Sequence, residues 1–225
     1  MRIVFLCSGG GGNLKFVAQA IRMGWLVDLQ ICAVLSDRHC DANTFAKAHG
    51  ISSEVVDFAA AGQLAVLDRL RALDPDVIVT TVHKVLVPGL VQAVRGTLVN
   101  LHYSLLPSFG SKIGDRPVRA ALAYGVKFVG VTVHWVDEGV DTGRPLLQAV
   151  TAVPTAPDPE ALMNVLFRAG CVGLLHTIAS LAPSFKAVRE RASHALMLGG
   201  RLVHFNPAVT IDPSLAQEQG WAFLK

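Results

Sequence analysis

Asn100-Leu101-His102 places two polar residues two positions apart at the end of an otherwise apolar run. Side chains alternate along a strand, so Asn100 and His102 leave one face and Leu101 the other. An amide donates to an oxygen that is gaining negative charge, and an imidazole exchanges a proton near neutral pH. The pair therefore suits a reaction that passes through an oxyanion. A core histidine bonded to a backbone carbonyl is the plain alternative. Asp141 lies in Val136-Asp137-Glu138-Gly139-Val140-Asp141-Thr142-Gly143, where two glycines permit a sharply folded loop. A carboxylate near His102 would favour the imidazolium and fix its ring, whereas a solvated acidic turn would do neither, and spacing leaves both readings open.

A third feature is Ser8-Gly9-Gly10-Gly11-Gly12-Asn13, between the expected first strand and first helix. Backbone without Cβ atoms folds closely around a ligand, and the unpaired N–H groups of a helix start suit phosphate or carboxylate. The bland counterpart is a tight turn without ligand. The dinucleotide fingerprint fails, because its third glycine falls on Leu14 or Lys15 depending on the start, and no Gly-Lys-Ser/Thr follows.

The elements that must position these residues alternate. Short β-branched runs at Arg2 to Cys7, Leu29 to Leu35, Ser53 to Val56, Val77 to Thr81 and Leu98 to His102 are separated by helical stretches at Asn13 to Met23, Ala42 to His49, Gln63 to Leu73 and Pro88 to Val94. Such alternation means parallel strands joined by right-handed crossovers, a doubly wound α/β sheet. Asn13, Asp41 or Asn43, and Pro88 mark helix starts. The rhythm then changes to a polar segment from Ser104 to Arg116, a helix near Pro117 to Tyr124, and a strand Phe128 to Val136 returning antiparallel through Pro145 to Val150. A helix from about Glu160 to Ala182 follows, and Arg201 to Phe205 reads as a last strand. Residues 1–182 are expected to form the catalytic domain, with 183–225 an extension packed on it.

Among 225 residues, 52% are hydrophobic and 16% charged, enough apolar content for a sizeable core and too much for a disordered chain. The net charge of +3 is spread without a basic stripe, which disfavours nucleic acid as partner while permitting a small anion. Apolar runs such as Val77 to Val82 stop well short of the roughly 18 residues of a bilayer span, so no membrane partner is expected. Cys7, Cys32, Cys40 and Cys171 show no C-x-x-C spacing, and the N-terminus reads as a strand rather than a signal peptide, so reduced cytoplasmic thiols are the expectation. His39-Cys40-Asp41 lacks metal-ligand spacing, and no metal is expected.

Ser8 to Leu14, Asp76-Val77-Ile78-Val79, Asn100-Leu101-His102 with Ser104-Leu105-Leu106-Pro107, and Asp141-Thr142-Gly143 occur together and in order. In these the chain resembles the folate-dependent formyltransferases, most nearly the glycinamide ribonucleotide branch, over residues 1 to about 182. The resemblance implies a Rossmann-like fold and transfer of formyl from 10-formyltetrahydrofolate to a primary amine, as in purine biosynthesis. Asn100 and protonated His102 would stabilise the oxyanion, and Asp141 would orient His102 and help move the proton. The folate slot would comprise Lys84, Val85, Leu86, Val91 and Leu98 with Asp137, Glu138, Gly139 and Val140, although plain core packing explains the aliphatic members equally well. Gly10, Gly11, Gly12 and Asn13 would hold a small amine acceptor, phosphorylated or not. Departures at Gly12, Tyr103 and the segment after Pro107, and Ala169 where the family has an acid on the ribose, leave the acceptor open between glycinamide ribonucleotide and an amine of specialised metabolism. Gly114-Asp115-Arg116-Pro117 resembles the helix entry of methionyl-tRNA formyltransferases, but their C-terminal tRNA-binding barrel, and with it a transfer-RNA acceptor, is not expected. Roles for Lys112, Arg116 and Arg119, and the oligomeric state, stay open. The competing readings are a formyltetrahydrofolate hydrolase and a non-catalytic folate- or anion-binding module, with a nicotinamide oxidoreductase using Asp37 more remote.

Overall fold

The computed structural model describes residues 1–182, 192–211 and 221. The chain divides into two compact units, Met1–Asn100 with Trp135–Gly143, and Leu101–His134 with the described residues from Arg144 onward.

The first unit is built from β1 (Arg2–Cys7), α1 (Gly12–Arg22), β2 (Gln30–Ser36), α2 (Asp41–Ala48), β3 (Ser52–Val55), α3 (Gln63–Leu73), β4 (Val77–Thr81), α4 (Pro88–Ala93) and the start of β5 (Leu98–His102). Its strands run in the order β3-β2-β1-β4-β5, all parallel. The order steps outward from β1 in both directions, so the loops after β1 and β4 meet at the topological switch, where such sheets bind ligands. β1 is wholly apolar from Ile3 to Cys7 and buried, as expected of a strand covered on both faces. Val4, Leu6, Leu35, Phe58, Val66, Leu70, Ile78, Leu90 and Leu98 belong to one core cluster.

The second unit holds the end of β5, α5 (Arg116–Tyr124), β6 (Phe128–Trp135, ending across the boundary), β7 (Pro145–Ala152), α6 (Pro159–Leu181), β8 (Ser193–Leu198) and β9 (Arg201–Val209). Here the order is β6-β7-β9-β8 and every pair is antiparallel. The fold class is therefore the expected one: α/β, doubly wound and parallel at first, with antiparallel strands after residue 128.

Three local expectations are corrected. Asn13 does not cap α1: the helix begins at Gly12 behind a left-handed Gly11, with no side-chain cap. On α2 Asn43 acts from the third helical position, its side chain accepting from the Cys40 N–H at 2.9 Å in a capping box whose cap residue is Cys40, not Asp41. Finally, α6 is long and apolar enough to cross a membrane, which the count of uninterrupted apolar residues missed because Arg168, His176 and several glycines punctuate it. It is a core helix, with 72% of its most apolar window buried. At Gly170 and Gly173 added Cβ atoms would lie 2.7 Å from side-chain carbons of Leu101 and Leu147, so the missing methyls set how close α6 sits to β5 and β7.

Candidate active site

β5 carries the central pair. Asn100 is half-buried and pairs with Thr80 of β4, whose own side chain is buried. Two residues on, His102 is 6% exposed, and its Nε2 lies 3.3 Å from the carbonyl oxygen of Phe109. A carbonyl only accepts, so Nε2 carries a proton in this arrangement. Residues 104–109 are held by a buried network in the second unit. Thr132 Oγ1 donates to the Ser104 carbonyl at 2.7 Å and accepts from Leu106 N–H at 3.1 Å, while Gln148 Nε2 donates to the Leu106 carbonyl at 3.1 Å. Ser104 Oγ donates to the Ser108 carbonyl at 2.6 Å. Phe109 and Ser111 both take positive φ, 57° and 62°, where side chains are costly, so this segment holds its shape against local backbone preference.

The acidic loop belongs to the first unit. Val136 N–H donates to the Leu98 carbonyl at 2.9 Å, which fixes the loop's entry beside β5. Inside it, Asp137 Oδ1 accepts from Gly139 N–H at 3.1 Å and from Thr142 Oγ1 at 2.6 Å. Gly143 passes so near Trp135 that a Cβ would sit 1.7 Å from the Trp135 carbonyl oxygen. Asp141, half-buried, is left-handed at φ 56°, a conformation Asp tolerates better than most side chains. The loop is a folded object rather than a loose solvated turn. Asp137, Glu138 and Gly139 line a cleft of about 170 Å³ together with Val91, Gln92 and Arg95. Of the expected folate residues, Val91 and these three line the cleft. Lys84, Val85 and Val140 are exposed, and Leu86 and Leu98 belong to the core cluster. Nothing in the sequence singles out Gln92, near the end of α4, or Arg95, in the turn just after it; their place in the cleft comes from tertiary structure.

Around the glycine loop, Gly11 has φ 65°, and a Cβ there would press to 2.9 Å from Ala42 Cβ. Gly10 is exposed, and neither Gly9 nor Gly10 would meet anything within 4 Å. Ser8 Oγ accepts from His83 N–H at 2.7 Å and its hydroxyl is bonded to Asp37. The Asp37 side chain is 3% exposed and is held bidentately by Arg38, at 3.1 and 2.7 Å. The Arg38 bond, ahead of an opposing desolvation cost and with help from Ser8, keeps this carboxyl below its ordinary value. Asp37 braces the loop, whereas the sequence suggests for it only a ribose contact in a nicotinamide enzyme. Asn13 stands in the first turn of α1. Ala169, where the resembling enzymes carry the ribose-holding acid, is fully buried. Arg119 is bonded to Asp115 one turn back, while Lys112 and Arg116 are exposed.

Residues 1–178 match the family described as formyl transferase. The phosphoribosylglycinamide formyltransferase of Mycobacterium tuberculosis is 31% identical over 216 residues, covering 93% of this chain and 94% of its own. A methionyl-tRNA formyltransferase of Salinispora tropica is 41% identical over 178 residues, 78% of this chain. The chain spans just over half the length of several relatives, 56% for that protein and 54% for the chloroplastic phosphoribosylglycinamide formyltransferase of Vigna unguiculata. Among solved structures, glycinamide ribonucleotide transformylase 1 of Symbiobacterium toebii superposes with a TM-score of 0.74 at 25% identity, over 94% of each chain. The matched segment contains Asn100, His102, Asp141 and both loops, and the protein belongs to the formyl transferase family.

Proposed function

We propose that the protein transfers the formyl group of 10-formyltetrahydrofolate to the primary amine of a small, phosphorylated acceptor. The observation that carries this reading is the Val136 to Leu98 hydrogen bond, which anchors a cleft-lining acidic loop beside the strand that ends in Asn100 and His102. In the reaction the amine adds to the formyl carbon, Asn100 and protonated His102 stabilise the resulting oxyanion, and collapse expels the folate nitrogen. Asp141 orients His102 and takes part in moving the proton from amine to leaving group. A cleft of about 170 Å³ is below the roughly 300 Å³ of a typical drug-sized site and suits one end of the donor. Gly10 to Asn13 receive the acceptor's anionic group at the uncapped start of α1. Ala169 offers a ribose no hydrogen bond, so glycinamide ribonucleotide competes with other phosphorylated amines as the acceptor. Residues 1–182 are the catalytic domain in this reading and 183–225 an extension packed on it. The pairing of β9 with β7 supports this for residues 201–209, while residues 183–191, 212–220 and 222–225 lie outside the described residues.

The test is incubation with 10-formyltetrahydrofolate and a panel of amines headed by glycinamide ribonucleotide, following folate release and product mass. Folate release matched by a formylated amine is the expected result. Formate release at the same rate without amine would make the protein a hydrolase, and donor binding without turnover would make it a binding module. His102→Ala is expected to lower kcat by about 10²- to 10³-fold and to leave donor affinity within about twofold, since the imidazole acts on the transition state. Full activity in that variant removes His102 from the mechanism.

A further inference from the structure

Gln63 is a polar side chain in a row of core positions. It opens α3 and is 1% exposed, while the other buried side chains of α3 that face the core, Val66, Leu67 and Leu70, are apolar. A buried amide is tolerated only when it is bonded, and this one uses both N–H groups and its oxygen. Nε2 donates to the Phe58 carbonyl at 3.0 Å and to the Val85 carbonyl at 2.9 Å, and Oε1 accepts from Val87 N–H at 2.7 Å. The bond at Val87 reaches further along the chain. Val87 is the cap residue of α4, where no side chain caps the helix, and its carbonyl accepts from Leu90 N–H at 3.0 Å and Val91 N–H at 3.1 Å. Leu86, between the two residues that Gln63 holds, is buried in the core cluster with Phe58, Leu90 and Val91. α4 in turn brings Val91 and Gln92, and Arg95 just after it, to the cleft that Asp137, Glu138 and Gly139 line from the acidic loop. All of these residues lie in the first unit.

We propose that Gln63 is a positioning residue for the formyl donor: it holds the segment between β4 and α4, and through it α4, in the conformation that shapes one wall of the cleft. The proposal rests on the reading that this cleft takes one end of 10-formyltetrahydrofolate. Without the amide, the Val85 carbonyl and Val87 N–H lose a partly buried partner, and the segment gains by turning both groups toward water. Val85 is exposed and Val87 half-buried, so they are free to follow, with Leu86 held only by apolar contact. α4 has six residues, so a shift at its first turn carries Val91 and Gln92 with it. The groups assigned to the transition state are carried by β5 and by Asp141 instead. The effect of losing Gln63 therefore falls on donor binding rather than on the chemical step.

The experiment pairs steady-state kinetics on the full chain with amide hydrogen exchange. Gln63→Leu removes all three side-chain bonds at little change in volume. The donor KM is expected to rise about tenfold or more, with kcat within about threefold and the acceptor KM within about twofold of wild type. Exchange at the Val87 and Val91 amides should quicken by about 10²-fold. A role in folding alone would reduce the active fraction, lowering kcat with both KM values unchanged, and that result overturns the proposal. Gln63→Met, unbranched like glutamine, carries the same expectations if the leucine variant does not fold. Thr151→Val is the control, since it removes a bond to the Leu202 carbonyl, 2.8 Å long, in the second unit. It should lower Tm and leave the donor KM within about twofold of wild type; an equal rise in both variants would overturn the proposal. Calorimetric titration with 10-formyltetrahydrofolate separates the two levels of failure. A wild type that binds none overturns the donor role together with the proposed reaction, whereas equal binding by wild type and Gln63→Leu overturns the role of Gln63 alone.

Discussion

At Gly9 and Gly10 an added Cβ would meet nothing within 4 Å, whereas at Gly143 it would lie 1.7 Å from the Trp135 carbonyl oxygen and at Gly139 2.0 Å from Thr142 Oγ1. The acidic loop needs glycine so that its own backbone can close on itself. The loop after β1 leaves its first two glycines facing open space, and the side-chain bonds that fix its base come from Ser8 and Asp37. Glycine in the acidic loop serves its folding, as Gly11 does in the other loop. The packing at Gly9 and Gly10 instead leaves room for a side chain, the space that the proposed acceptor would use. Residue type alone does not distinguish these uses; the neighbours do.

The largest effect expected from this contrast is at Gly143. Gly143→Ala must displace backbone, and a loss of about 3 kcal/mol or more in denaturant unfolding is expected. A loss under about 1 kcal/mol would show that the acidic loop yields as easily as the other. Asp137→Ala removes the acceptor of two loop hydrogen bonds and should cost about 1 kcal/mol per bond, read in the same unfolding experiment. Asp37 tests the bracing of the glycine loop by pH. Its carboxyl titrates below the ordinary value of 3.8, so its contribution to stability is complete above that value and fades as pH falls through the lower folded value. Asp37→Asn should therefore flatten the fall of Tm on acidification below about pH 4. An unchanged slope would remove Asp37 from the loop's support. The smallest change in stability is expected at Gly10: Gly10→Ala should shift unfolding by less than about 1 kcal/mol, in the stabilising direction, while raising acceptor KM. Unchanged KM would make this loop as purely structural as the other.

Most of the framework was legible because parallel strands buried on both faces are written as apolar runs. Gln63 to Leu73, Val77 to Thr81 and Leu98 to His102 were read at their observed bounds. The pattern around Asn100 and His102 was legible for the same reason, since polar residues stand out in such a strand. β8 was missed. Gly199 and Gly200, with φ 54° and 76°, form the two-residue turn that joins it to β9, and a Gly-Gly pair between apolar runs is a hairpin signal that went unused. The inner structure of the acidic loop was not legible, because Asp137 binding to Thr142 and Asp141 turning left-handed depend on the closure at Gly143 rather than on local preference. Arg38 clasping Asp37 follows from tertiary placement, and two adjacent charges in a sequence do not reveal it.

Leu101 separates Asn100 from His102, and it rests against the backbone of α6 at Gly170. A single methyl at position 170 would press on the Leu101 side chain, and in the proposed reaction that pressure would reach the aim of the neighbouring His102 imidazole without touching any reacting atom. Variants on that face of α6 would then resemble damage to the chemistry while being lesions of alignment, distinguishable because donor affinity, spectra and unfolding would stay near wild type as turnover fell.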